Sequence, residues 1–553
     1  MGILGLTTFI KNNPQITEEF SLHSTRVVID GNSLYHFLYN KDKLDFLHGG
    51  DYDQYANKIR EFFSLLQSCN IQPYVVFDGG NEPNEKKFQT VLSRIERRLE
   101  MAIQLTKQQH DYCRVMPIMS RDTFIAVLSE ITIPFVVCDF EADKEIAKLA
   151  NHLDSPVLSD DSDFYILPLS SGFIRFESLN LTVQGIRVEN GTLKHCLSAR
   201  RYRVDRFVKV FPSLGKDVFP LLAALLGNDY VDKTVFKSFC FSIRSIGGET
   251  QFTDPTEEKK ILKIILWLQS LKSYREGIEK IVSRSKDKDA VSLAIQITEE
   301  AFTLNATETE FSLRSYFMEK GSTVSNPIQG RYGSMIPTWY VSQHRKGIIP
   351  PTCIDVITLH RKLLIPQVED PKSSVSSYQC SESIRKYMYG ILLSEGVDEV
   401  QQNEGVTSKR KWVVEEFDRN AHVIMVKRVD SLVTLAEYGK LPKLSEIPDL
   451  STCEKENILR LVINMPSFSI DDMTKDLELV LGIVVFWIKK AKPQITVFHL
   501  QSVLVCLIML NVKVVRVSHY VIIRNLQYWF DFYKAFLIPG IDFALHRCCK
   551  QWQ

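Results

Sequence analysis

The strongest constraint on the fold is four short apolar runs near the amino terminus: RVVID, PYVVFD, PFVVCD and PVLSD. Each is nearly continuous in apolar residues and too short for an independent helix. Each therefore reads as a strand buried on both faces. Between the runs the apolar period changes. Ile59, Phe62, Phe63 and Leu66 recur at helical spacing within 53–68, Phe124, Val127, Leu128 and Ile131 within 121–131, and Ile146, Leu149, Ala150 and Leu153 within 141–153. This alternation predicts an α/β fold, a parallel twisted sheet with helices on both faces.

Each run ends in acid. Open sheets of this kind bind ligands outside the carboxyl ends of their strands. There fall Asp30, Asp78, Glu141, Asp143, Asp161 and Asp163, with Asp229 further on in LLGNDYV. Gathered carboxylates repel one another unless a cation or a proton compensates them. The set therefore points to divalent metal, and metal to phosphate chemistry. Singly, the acids have plainer readings, with Asp30-Gly31 as a turn and Ser159 or Asp160 as a helix cap. A calcium loop starting at Asp161 fails, because its sixth and twelfth places hold Ile166 and Gly172. A phosphatase-type DxD is absent, since Asp30 is followed by Gly31 and Asn32.

The chain has 553 residues, 45% of them hydrophobic and 24% charged, the balance of a globular protein with room for several domains. A net charge of +1 means that nucleic acid would have to be held by a local basic patch. Eleven cysteines without a CxxC pair predict reduced thiols inside the cell. His110 and Cys113 alone fall short of the roughly four ligands of a zinc site. The start MGILGLTTFIKNN lacks the marks of a signal peptide, and Leu6 stands where myristoylation wants Ser or Thr. The apolar stretches Leu479–Ile488 and Val503–Leu510 are too short to span a bilayer, so no membrane partner is expected.

The α/β pattern covers residues 1–240. A helical extension is expected over 241–366, with Leu262, Ile265, Leu266 and Leu268 on an apolar face. The Ser-rich stretch 367–383 reads as an exposed linker or loop, and 384–553 as a helical C-terminal domain without a chemical motif, through which protein partners would bind. The sequence stops at CCKQWQ directly after a hydrophobic pattern, as a truncated sequence would.

Between Asp78 and the third run lies a basic helix over 84–110. Phe88, Leu92, Ile95 and Leu99 form an apolar stripe, and Lys87, Arg94 and Arg98 follow the same spacing about 100° around the helix. Lys86 and Arg97 broaden the basic band, which could hold a phosphodiester backbone entering the acid cluster. The plainer alternative is a solvated amphipathic helix with Glu96 and Glu100 as charge partners.

Taken together, these motifs resemble the flap endonuclease/XPG superfamily of nucleases, which share a PIN-like fold. The resemblance rests on Met1-Gly2-Ile3 with Gly5-Leu6, VIDGNSLYH, VVFDGG, FEADKEIA, LSDDSDFYIL and LLGNDYV, in that order. It implies that Asp30, Asp78, Glu141, Asp143, Asp161, Asp163 and Asp229 hold two Mg²⁺ or Mn²⁺ ions. It also implies that Lys87 and Arg94 are catalytic, stabilising the scissile phosphate, and that Gly2, Lys86, Lys87, Arg94, Arg97 and Arg98 bind nucleic acid. Over most of the chain, including IPTWYVSQHRKGIIPPTCIDVITLHRKLLIPQVED, the similarity is to the asteroid branch.

The chain departs from the superfamily pattern twice. Asp143 stands where Glu is usual, and the residues after Asp229, with Gly247-Gly248, do not read as the duplex-binding helix–turn–helix module. The resemblance thus implies a metal-dependent endonuclease cutting single-stranded, overhang or flap DNA in DNA repair, in the nucleus, without a small-molecule cofactor. The alternatives it leaves are a PIN-type RNA nuclease and a catalytically weak scaffold linked to growth-factor receptor signalling.

Overall fold

Val27, Val28 and Ile29 point alternately to opposite sides of a strand, and both sides are dry. That local fact sets the architecture of the computed structural model. It describes residues 2–42, 44–47, 50–107, 113–187, 193–243, 256–304, 312–318, 328–331, 333–369, 373–395, 412–466, 475–491, 494, 496–497 and 501. The strands of the first sheet are β1 (Thr17–Leu22), β2 (Thr25–Asp30), β3 (Ile71–Phe77), β4 (Phe135–Val137), β5 (Val157–Leu158), β6 (Phe173–Ile174), β7 (Gln184–Arg187) and β8 (Leu193–Tyr202). Their order is β1-β8-β6-β5-β2-β3-β4, with β7 also on β8. The stretch from β6 to β4 is parallel throughout. β8 runs antiparallel to β6 and to β1. The four strands expected from the apolar runs are β2 to β5.

Val28, Tyr74, Val76 and Val136 face one core, closed by helices that include Leu6–Asn12, Asp143–His152 and Phe219–Leu226. Val27, Ile29, Val75, Phe77 and Val137 face the other, under Gly31–Lys41, Tyr52–Ser68 and Ser120–Glu130. The sheet is mixed and mostly parallel, with helices on both faces.

Beyond it the packing differs from expectation. The helices Glu257–Gln269 and Lys288–Phe302 add to the first core, through Ile261, Ile264, Ile265 and Leu268; Leu262, expected on that face, is exposed. Residues from Ile328 onward build a second core. The expected extension 241–366 is therefore divided between two bodies. The Ser-rich stretch is not an exposed linker where it is described. Ser376, Tyr378, Cys380 and Ser381 are buried, because Arg385 takes the carbonyl of Tyr378 and the hydroxyl of Ser381.

The C-terminal region is mostly helical but carries a three-stranded sheet. The hairpin β10 (Val413–Asn420) and β11 (Val423–Asp430) joins β9 (Arg361–Leu363), with β9 parallel to β10. Gly247-Gly248, His110, Val503–Leu510 and the final CCKQWQ lie outside the described residues.

Candidate metal and nucleic-acid site

β2 lies between β5 and β3, so the chain crosses from one side of β2 to the other at the carboxyl end of the sheet. A crevice forms at such a crossing, and the acids surround it. Asp30 is the last residue of β2 and caps the helix Gly31–Lys41, accepting from the Ser33 amide at 3.0 Å and the Ser159 hydroxyl at 2.6 Å. Burial pushes its carboxyl up to about 6 despite those donors.

Asp78 follows β3 and accepts from the Ala142 amide at 2.9 Å and Asn32 Nδ2 at 2.6 Å. Burial, then Glu141 and Asp30, raise it to about 7. Glu141, in the loop after β4, accepts from Lys87 Nζ at 2.7 Å. Asp143 opens the helix Asp143–His152 and is held well above the usual carboxylate range by burial, with Asp161, Asp78 and Asp163 adding repulsion.

Asp161 caps the short turn after β5 and accepts from the Asp163 amide at 3.1 Å. Burial raises both Asp161 and Asp163, and Asp229 adds repulsion to each. Asp163 is 3% exposed, and its Oδ1 has no hydrogen-bond partner. Asp229 receives Arg94 Nη2, and the Gly2 amide at 3.4 Å. The expected acids thus come together from four strand ends and the segment after Phe219–Leu226.

Gly2 sits at φ +74°, and a side-chain carbon there would overlap Asp161 Oδ1, Asp163 Oδ1 and Ser162 Oγ. The Ile3 amide meets Ser162 Oγ at 2.7 Å, which pins the amino terminus over the acids. The basic helix is Phe88–Thr106, with Lys87 as its cap residue. Lys87 Nζ also lies 4.5 Å above the Tyr230 ring. Lys87 and Arg94 are the basic residues turned to the acids.

Lys86 and Arg98 are engaged away from the acids. Lys86 reaches Glu300 at 2.7 Å, while Arg98 donates to the carbonyls of Pro366 at 2.7 Å and Met116 at 2.5 Å. Both are drawn away by acceptors that lie far off in sequence. Arg97 is exposed. Ser159, Asn32 and Tyr230, absent from the sequence-based set, hold Asp30, Asp78 and Lys87. Their one sequence signal is adjacency to the acidic motifs.

An all-carboxylate donor set suits a hard divalent cation. Among the described residues no three acids are drawn close enough to grip one ion by themselves. The set fits an ion held by one or two carboxylates with water completing its shell, as Mg²⁺ prefers. The unpartnered Asp163 Oδ1 is an oxygen open to such a contact. In the described structure Lys87 and Arg94 pair with two of the acids, Glu141 and Asp229.

Residues 1–101 match the XPG N-terminal domain. That match takes in β1 to β3 with Asp30 and Asp78 and makes the chain similar to the XPG-like nucleases. Beyond it the chain is similar nearly throughout to the asteroid homologues. It is 28% identical over 511 residues to human "Single-strand DNA endonuclease ASTE1", covering 92% of this chain and 73% of that protein. It is 29% identical over 341 residues to "Protein asteroid" of Drosophila melanogaster, covering 54% of this chain and 39% of that protein. A solved structure of the catalytic core of Rad2 in complex with DNA substrate aligns at 17% identity and a TM-score of 0.28, over 54% of this chain and 94% of that one. No described helix is long and apolar enough to cross a membrane.

Proposed function

We propose that the chain is a divalent-metal-dependent endonuclease that cuts single-stranded, overhang or flap DNA, and that it serves DNA repair in the nucleus. The observation that carries this reading is the cluster of buried, mutually repelling acids flanked by Lys87 and Arg94. A fold has no use for such repulsion unless a cation is to be held. The similarity to the human single-strand DNA endonuclease supports the choice of substrate.

Asp30, Asp78 and one or both of Glu141 and Asp143 would serve one ion, and Asp161, Asp163 and Asp229 would bind or orient a second, with water completing each shell. Bound Mg²⁺ or Mn²⁺ supplies an activated water and neutralises charge at the phosphate. The chain's residues do the rest. Ser159 and Asn32 orient the carboxylates of Asp30 and Asp78 by donating to one oxygen of each. Lys87 and Arg94, released from Glu141 and Asp229, bind the non-bridging oxygens of the scissile phosphate. Gly2, lacking a side chain, lets the amino terminus close over Asp161 and Asp163, where it would meet the nucleic acid. Arg97 carries the phosphate backbone along the exposed side of the helix.

The test is cleavage of labelled single-stranded DNA, overhangs, flaps and RNA with Mg²⁺, Mn²⁺ or chelator, alongside Asp30→Ala and Asp161→Ala. Cutting of DNA that needs metal and vanishes in both variants is expected. Variants that cut like the wild type would sink the proposal, and a preference for RNA would redirect it.

A further inference from the structure

Two loops carry acids of the site: 78–81 after β3, with Asp78, and 138–143 after β4, with Glu141 and Asp143. They are laced together by backbone. The Gly79 amide donates to the Phe140 carbonyl at 2.8 Å, and the Gly80 amide to the Asp139 carbonyl at 3.0 Å. A side-chain carbon at Gly79 would overlap the Cys138 and Asp139 carbonyls, so only glycine permits this approach. Asp78 itself is held by the Ala142 amide, from the other loop. The position of each acid therefore depends on both loops.

Neither loop is fastened by its own domain alone. The second body grips both. Arg345, in the helix Thr338–Arg345, donates Nε and Nη2 to the two oxygens of Asp139, each at 2.8 Å. This is the bidentate fork that fixes a carboxylate in direction as well as distance. His344 Nε2 lies 2.9 Å from the Cys138 carbonyl. From the helix Pro351–Leu359, Asp355 accepts from the Asn81 amide at 2.6 Å and from Asn81 Nδ2 at 2.8 Å. Arg345 is 7% exposed, His344 0% and Asp355 4%, so the clamp is shielded from solvent competition. Phe140 packs into the second core between these contacts.

We infer that Arg345 and Asp355 are positioning residues for the acid cluster, so that the second body completes the ion site without touching it. The inference rests on the proposed reading of the acids as that site. Groups that orient ligating carboxylates set metal affinity, and their loss typically costs about 10–100-fold. Asp139 is two residues from Glu141, and Asn81 three from Asp78. Motion at either point passes directly to a donor oxygen.

The test uses the full chain, with Arg345→Met, Arg345→Lys and Asp355→Asn, and with Arg385→Met as a control in the same body. Arg385 pairs with Glu416 and donates to Tyr378 and Ser381, all within the second body. Mn²⁺ binding by calorimetry should weaken about 10-fold or more in Arg345→Met and Asp355→Asn. Arg345→Lys should recover part of the loss, and Arg385→Met should lower melting while leaving Mn²⁺ affinity in place. Hydrogen exchange reads the clamp with no ion present. Arg345→Met should speed exchange in 78–82 as well as in 138–143, while β2 stays protected. Wild-type Mn²⁺ affinity in folded Arg345→Met and Asp355→Asn, or unchanged exchange in both loops, would overturn the clamp. Mn²⁺ binding that Asp161→Ala leaves intact would count instead against the reading of the acids, and exchange would then decide the clamp alone.

Discussion

Asp30 and Asp78 show how far a single residue's environment governs this protein. Both carboxyls are raised, to about 6 and about 7, chiefly by burial. The folded chain therefore holds more protons than the unfolded chain between pH 4 and 7, and stability falls as pH rises through that window. For Asp30 alone a shift of about two units corresponds to about 3 kcal/mol. Thermal melting in chelator should drop between pH 5 and 7.5, and millimolar Mg²⁺ should narrow the difference by compensating the ionised form. A melting temperature that rises with pH in chelator would contradict this. Lys87 belongs to the same scale. Lys87→Met should cut cleavage by about 10²–10³-fold, the usual cost of removing one charge-stabilising donor. It should also lower melting, because the pull of Glu141 and Asp143 on its ammonium outweighs its own desolvation. Single-turnover kinetics beside a melting curve separates the two.

At the scale of elements, the basic helix has two faces with different owners. Its cationic side meets the acids, while Phe88, Val91, Leu92 and Ile95 pack against Leu363, Phe417 and Ile424 of the small sheet. Arg361 stacks on Phe88 at 3.8 Å and reaches Glu85 at 3.3 Å, adding a polar latch beside that apolar contact. Phe417→Ala should therefore cost about 3 kcal/mol by cavity formation. It should also slow cleavage beyond the loss of folded protein, since the helix that carries Lys87 and Arg94 would lose its support. Equal activity per folded molecule would show the support to be dispensable. The stripe on this helix was legible from its spacing, but its partner was not. The hairpin that covers it is written VVEEFDRN and VIMVKRVD, with charges where a strand reader looks for alternation. Those charges are tolerated because Arg385 Nε and Nη2 reach Glu416 at 2.6 and 2.8 Å and the Tyr389 hydroxyl joins at 2.5 Å. Such a buried network exists only once the 382–392 helix has packed. Breaking it by Arg385→Met should cost about 3–5 kcal/mol, the usual penalty of an orphaned buried charge. Denaturant melts would measure it, with cleavage per folded molecule unchanged.

Across the whole molecule, what could be read in advance followed distance along the chain. The four apolar runs specified β2 to β5 and both covered faces, because strand burial is a local property of residue type and period. The acids at their ends specified the candidate site, since a parallel sheet delivers successive strand ends to one edge whatever the loops do. β1 and β8 were not legible in the same way, and neither was the turning of Lys86 and Arg98 away from the acids. These depend on partners remote in sequence: Glu300 for Lys86, and Pro366 and Met116 for Arg98. By itself, then, the sequence determined an α/β core with acids gathered at its strand ends, through short-range pattern. Tertiary structure alone decided that a second body holds the loops of that cluster through Arg345 and Asp355, 206 and 274 residues from their partners. Hydrogen bonds of that span leave no periodic trace, because nothing in either segment's composition requires the other.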